Sequence, residues 1–147
     1  MLSQLLVKDR IAVLESVNDW QHAIDLVCEP LINDGSISEF YKEAIFRSTE
    51  ELGPYYVVAP KIAMPHARPD EGAIKNALSL LIVKDGVSFK SSENDPVHLV
   101  LLLSAADSNQ HIELITSISE FFCHEGDVEK VIASSSVQDI IEIIKNY

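Results

Sequence analysis

Two short runs, Ala77–Val83 (Ala-Leu-Ser-Leu-Leu-Ile-Val) and Val97–Leu103 (Val-His-Leu-Val-Leu-Leu-Leu), are apolar at almost every position. A strand with one wet face alternates apolar and polar residues. An unbroken apolar run of this length suits a strand covered on both faces. The pair therefore suits a central β-sheet with helices on both faces, an α/β or α+β sandwich. Lys84-Asp85-Gly86 reads as a turn, with Val87–Lys90 as a short strand beside it. Tyr55–Ala59 reads as a further strand, which sends Tyr55 and Tyr56 to opposite faces, one buried and one near the next loop.

The helices follow from caps and spacing. Asn18-Asp19 can cap a helix carrying Trp20, Ile24, Val27 and Leu31, ended by Asn33-Asp34-Gly35. Ser38 opens a second, through Phe40, Ala44 and Ile45 to about Leu52. Asp107 followed by Gln110 fits a capping box for a third, with Ile112, Ile115, Ile118 and Phe122 on one face. Asp127 and Ser136 open two short terminal helices, the second bearing Val137, Ile140, Ile141 and Ile144. With 147 residues, 47% of them hydrophobic, residues 1–147 read as a single domain with a substantial core.

The formal net charge of −12 argues against nucleic acid, whose phosphates need Lys and Arg. It argues equally against anionic membrane surfaces. No stretch reaches the roughly 18 apolar residues of a spanning helix, and the N-terminus lacks a signal-peptide pattern. A cytoplasmic location without membrane insertion is expected. Cys28 and Cys123, far apart and outside any CxxC pair, are expected to be buried thiols.

Chemistry concentrates at Gly53–Gly72, where four prolines and two glycines bracket His66. Pro65 and Pro69 fix their own φ and push Met64 and Arg68 towards extended geometry, so the imidazole is aimed. It could act as base, metal ligand or nucleophile. There is no GxxxxGK[ST] loop, no GxGxxG, no HExxH, no Cys/His cluster and no GxSxG elbow, so nucleotide, zinc and serine-hydrolase chemistry lack their usual supports. No cofactor and no metal are expected. Histidine as nucleophile fits: neutral imidazole, with a pKa near 6.5, can accept a phosphoryl group and pass it on. His111 falls in the first turn of the helix opened at Asp107, where N–H groups and the dipole favour an oxyanion. The preceding strand would bring that turn to the sheet's carboxyl edge, within reach of the His66 loop. His66 is then the carrier and His111 the stabiliser of the phosphoryl group.

Gly53-Pro54-Tyr55-Tyr56, Ile62-Ala63-Met64-Pro65-His66-Ala67-Arg68-Pro69 and Asn109-Gln110-His111-Ile112-Glu113-Leu114 together resemble the enzyme IIA family of the phosphoenolpyruvate-dependent sugar phosphotransferase system. The likeness lies within the mannitol/fructose superfamily. The Met-Pro-His-Ala-Arg-Pro form looks most like the ascorbate-specific branch. The resemblance spans essentially the whole chain and implies a mixed central β-sheet flanked by helices on both faces. It implies that His66 takes a phosphoryl group from phospho-HPr, with Nε2 the favoured ring nitrogen, and passes it to an enzyme IIB. In the ascorbate branch that acceptor is a cysteine. It also implies that His111 is the second active-site histidine and that the membrane enzyme IIC is a separate chain. Mannitol and fructose members carry an arginine before the histidine motif. Arg47 falls in that region, and Arg68 is the alternative positive group near His66. A phosphorylation-dependent regulatory module without a transport role is the competing function, followed by a small metal-dependent hydrolase.

The remaining candidates read as structure. His98 in its apolar strand is expected to be hydrogen-bonded. His22 and His124 are expected to be solvated helix residues, Asp70 and Glu71 loop carboxylates, and Glu113 a surface group. Ile62 and Met64 could either form a contact surface for the two protein partners or pack inward.

Overall fold

The computed structural model describes residues 2–147. The two apolar runs form the centre of a mixed sheet in the order β1-β4-β5-β3-β2. Its strands are β1 (Ile11–Leu14), β2 (Val57–Ala59), β3 (Ile62–Ala63), β4 (Ala77–Val87) and β5 (Val97–Ser104). β4 and β5 pair antiparallel, β1 runs parallel to β4, β3 runs parallel to β5, and β2 and β3 form an antiparallel edge.

Helices cover both faces, as the apolar runs require. Against one face pack α2 (Trp20–Asn33) and α3 (Glu39–Leu52), with Ile24, Leu31, Tyr41 and Ile45 meeting Leu81, Val100 and Leu102 of the sheet. Against the other lie α1 (Leu2–Leu5), α4 (Ser108–Phe122), α5 (Glu125–Ala133) and α6 (Val137–Ile144), whose Leu114, Ile118, Val131 and Ile140 meet Leu80, Ile82, Leu99 and Leu101. Neighbours such as Leu101 and Leu102 thus serve opposite cores, and the buried polar residues of β4 and β5 are the small Ser79 and Ser104.

The caps sit where the sequence puts them. The Asp19 carboxylate accepts the His22 amide at 2.8 Å, Asp107 accepts the Gln110 amide at 2.8 Å, and Ser136 Oγ accepts the Asp139 amide at 3.2 Å. Each satisfies an N–H that a helix start leaves unpaired.

Several expectations need correction. Tyr55 and Tyr56 precede β2 in a turn led by Gly53 at φ +80°. Tyr56 is nonetheless buried and Tyr55 exposed. Lys84–Gly86 is a bulge inside β4, held by the Asp85 amide donating to Glu15 O at 2.9 Å. Residues 88–90 leave the sheet because the Asp95 carboxylate gathers Ser88 Oγ and the Phe89 and Ser91 amides, at 2.9, 2.9 and 3.0 Å. The buried stripe of α4 is Leu114, Ile118 and Phe121, which leaves Ile112 64% exposed. α5 begins at Glu125, ahead of Asp127. Cys28 is fully buried, its thiol pushed up to about 12 by desolvation, whereas Cys123 is exposed at the end of α4. Among the described residues no helix is long and apolar enough to cross a membrane.

Candidate functional site

β3 and β5 run parallel, so their carboxyl ends share one sheet edge. His66 follows β3 in the proline-bracketed loop, and His111 lies on α4, which follows β5. The rings meet with centroids 5.4 Å apart, tilted by 57°. His111 is the fourth residue of α4, and its own amide already donates to Asp107 O at 3.0 Å. What it offers the site is therefore its imidazole, and not a free N–H of the helix start.

The His66 ring is oriented by the chain's own backbone. Nδ1 lies 2.8 Å from Met64 O. A carbonyl oxygen only accepts, so Nδ1 carries the proton and Nε2 keeps its lone pair. Tyr55 stands edge-on to the ring, at 5.9 Å between centroids, and donates its hydroxyl to His66 O at 3.0 Å. Desolvation, and secondly the neighbouring His66, hold the His111 pKa below the ordinary 6.5. His111 is thus neutral at pH 7, with a ring N–H available to an oxyanion.

The two histidines open into a cleft of about 600 Å³, bordered by Arg47, Tyr55, Arg68, Glu71 and Ile112. Both arginines reach the site, but both engage a carboxylate. Arg47 Nη2 is 3.5 Å from Glu71, and Arg68 Nε is 3.6 Å from the same group and 3.8 Å from Asp70. Glu71 also accepts the Arg68 amide at 3.0 Å. It is thus the hub of the loop and more than a solvated carboxylate.

Gly72 closes the loop. Its φ of +113° is open to glycine, and a Cβ there would collide with Ser38 Oγ and stand 2.9 Å from the Tyr41 amide. Gly72→Ala is expected to cost about 1–3 kcal/mol of stability. Urea denaturation measures this, and an unchanged midpoint would refute it.

Other expectations resolve simply. His98 Nδ1 lies 3.0 Å from Val83 O. His22 Nδ1 accepts the Asn18 amide at 3.0 Å, and His124 precedes α5 with Nδ1 2.8 Å from Glu120 O. Glu113 is exposed. Ile62 and Met64 are 8% and 9% exposed and belong to the core, so the apolar surface beside the site is Leu52, Tyr55 and Ile112. Among the described residues no three His, Cys, Asp or Glu side chains are grouped to hold a metal ion.

The mixed five-stranded sheet with helices on both faces is the architecture of a phosphotransferase system component. The chain belongs to the family described as phosphoenolpyruvate-dependent sugar phosphotransferase system, EIIA 2, which it matches over residues 4–147. It is 42% identical over 143 residues to the mannitol-specific cryptic phosphotransferase enzyme IIA component of Escherichia coli (strain K12), covering 97% of each chain. The solution structure of the E. coli mannitol-specific cryptic enzyme IIA CmtB superposes with a TM-score of 0.92, at 41% identity over 99% of each chain. The ascorbate-specific EIIA component of Salmonella choleraesuis (strain SC-B67) is 33% identical over 141 residues, 95% of this chain and 92% of that one. The complex of enzyme IIA-Mtl with phosphorylated enzyme IIB-Mtl from E. coli matches with a TM-score of 0.83 at 25% identity, over 97% and 98% of the two chains.

Proposed function

We propose that this protein is a cytoplasmic phosphocarrier, and that His66 Nε2 carries the phosphoryl group from phospho-HPr to an enzyme IIB. The observation behind this reading is the imidazole whose Nδ1–H is tied to Met64 O, leaving the Nε2 lone pair free beside His111. The Nε2 pair attacks phosphorus, and the donor's phosphate-bearing atom leaves with the old bonding pair. Discharge repeats the exchange onto the IIB acceptor, a thiolate sulfur if the ascorbate-branch likeness holds. The net reaction moves one phosphoryl group and needs neither metal nor nucleotide at this site. His111 donates an N–H to the phosphoryl oxygens as charge spreads over them. Arg68 and Arg47 can add positive charge by turning from Glu71 towards the cleft.

Docking at Leu52, Tyr55 and Ile112 supplies a small apolar contact for two successive partners. A separate membrane enzyme IIC then uses the phosphoryl group delivered by IIB. The sugar follows from the branch: the Met64–Pro69 motif favours L-ascorbate, and the 42% identity to a mannitol-specific relative favours mannitol as the second reading. Growth of a deletion strain on each sugar separates them, since the true substrate is the one that no longer supports growth.

The test of the relay is incubation with phosphoenolpyruvate, enzyme I and HPr, followed by intact mass. One acid-labile adduct is expected, and a protein that stays unmodified sinks the reading.

The charge of the adduct has a pH signature. In the free protein the folded-state pKa of His111 lies below its unfolded value of 6.5. Its contribution to stability is therefore present above that value and fades as pH falls through the folded pKa. A phosphoryl dianion on His66 favours the imidazolium and reverses the sign, so the His111 pKa rises on phosphorylation. NMR titration of the ring protons in both forms checks this. An unmoved His111 would place the phosphoryl group elsewhere.

A further inference from the structure

The register of β3 on β5 pairs Ile62 with Leu99 and Ala63 with Val100. Continued along both chains, it sets His66 opposite Leu103. In a parallel ladder such a residue gives its N–H to the carbonyl before its opposite number and takes the N–H after it. The first rung is present: the Leu103 amide donates to Pro65 O at 3.2 Å. The second is replaced. The buried Tyr41 hydroxyl stands in its place, donating to Leu103 O at 2.6 Å and accepting the Ala67 amide at 3.0 Å. β3 ends at Ala63, and beyond the single rung at Pro65 O a phenol from α3 stands between the His66 loop and β5. Tyr41 itself is held to the same loop, since the Ser38 amide at the start of α3 donates to Gly72 O at 3.0 Å.

We propose that Tyr41 is a positioning residue: its hydroxyl, interposed between Leu103 O and Ala67 N–H, sets where the His66 ring stands relative to His111. The inference rests on the phosphocarrier reading of His66. β5 continues through Ser104 into the turn before α4, so Leu103 is a common reference for both histidines. Without the hydroxyl, the buried Leu103 carbonyl and Ala67 amide satisfy each other by closing the rung. That closure draws the loop towards β5 by on the order of 2 Å, given a direct N–H···O distance of about 2.9 Å. A displacement of that size moves Nε2 off the line of transfer.

The test is Tyr41→Phe beside Thr49→Val. Thr49 Oγ1 donates to Ile45 O at 2.7 Å and meets Tyr56 Oη at 2.8 Å, so the second variant loses a buried hydroxyl away from the wedge. Both are expected to lose stability. Only Tyr41→Phe should lose kcat for transfer at saturating phospho-HPr, by at least about tenfold, with KM unchanged. Equal kcat in the parent and in folded Tyr41→Phe overturns the proposal. If Tyr41→Phe does not fold, 3-fluorotyrosine placed at 41 alone keeps the wedge and perturbs its hydroxyl. The Ala67 amide resonance should then move, and an unmoved one overturns the proposal. A parent that forms no adduct sinks the phosphocarrier reading instead. In that case the Ala67 amide still decides the wedge by its hydrogen exchange, slow as expected or as fast as an exposed amide, which would refute it.

Discussion

His66→Ala is expected to remain folded and to accept no phosphoryl group at all. The ring is partly exposed, and its polar anchor is one bond from Nδ1 to Met64 O. Removing it leaves the ladder at Leu103 and the Tyr41 wedge in place. What disappears is the imidazole whose Nδ1 is tied to Met64 O, with Nε2 left free beside His111. Transfer from phospho-HPr should fall to background, with circular dichroism and the unfolding midpoint near the parent's. Intact mass after incubation with the full donor chain checks it. An adduct at the parent's level would move the carrier role to another residue.

His111→Ala is the second large effect, and it differs in kind. His66 keeps its tautomer, because that is set by Met64 and not by His111. The adduct therefore still forms. What is lost is a neutral N–H donor in a partly desolvated cleft, poised for charge that develops during transfer. Loss of one such donor typically costs about 10²–10³ in rate. Rapid-quench measurement of the transfer step should show a slowing of that order at saturating donor. A rate equal to the parent's would reduce His111 to a packing neighbour of His66.

The two variants also separate what the site owes to local and to distant parts of the chain. The His66 tautomer is local: Met64 and His66 are two residues apart, and Pro65 between them fixes the bend. That is why the motif could be singled out from the residues alone. The apolar runs were legible for a similar reason. A strand covered on both faces has to be largely apolar, and Leu99–Leu103 fits that pattern without a break. Asp19, Asp107 and Ser136 were legible as caps because a cap is written within four residues.

Most of the misread parts depend on distant partners. Lys84-Asp85-Gly86 has turn composition, yet it bulges within β4 because Glu15 supplies a carbonyl from β1's far end. Val87–Lys90 has strand composition, yet it stops at Val87 because the Asp95 carboxylate takes the Phe89 amide, and that of Ser91 just beyond, away from the sheet. Ile112 shares the period of Ile115 and Ile118 closely enough to look buried, but the helix presents Leu114, Ile118 and Phe121 to the sheet instead. Arg47 and Arg68 were both candidates for the site. Both border the cleft, and the structure adds that Glu71 holds each of them.

The sequence by itself determined the sandwich and the aimed imidazole, because burial on two faces and a proline-set bend are properties of neighbouring residues. Only the tertiary structure decided that His111 meets His66 and that Tyr41 separates Ala67 from Leu103. Those contacts join residues 45, 26 and 62 positions apart through hydrogen bonds and packing whose partners no local pattern specifies.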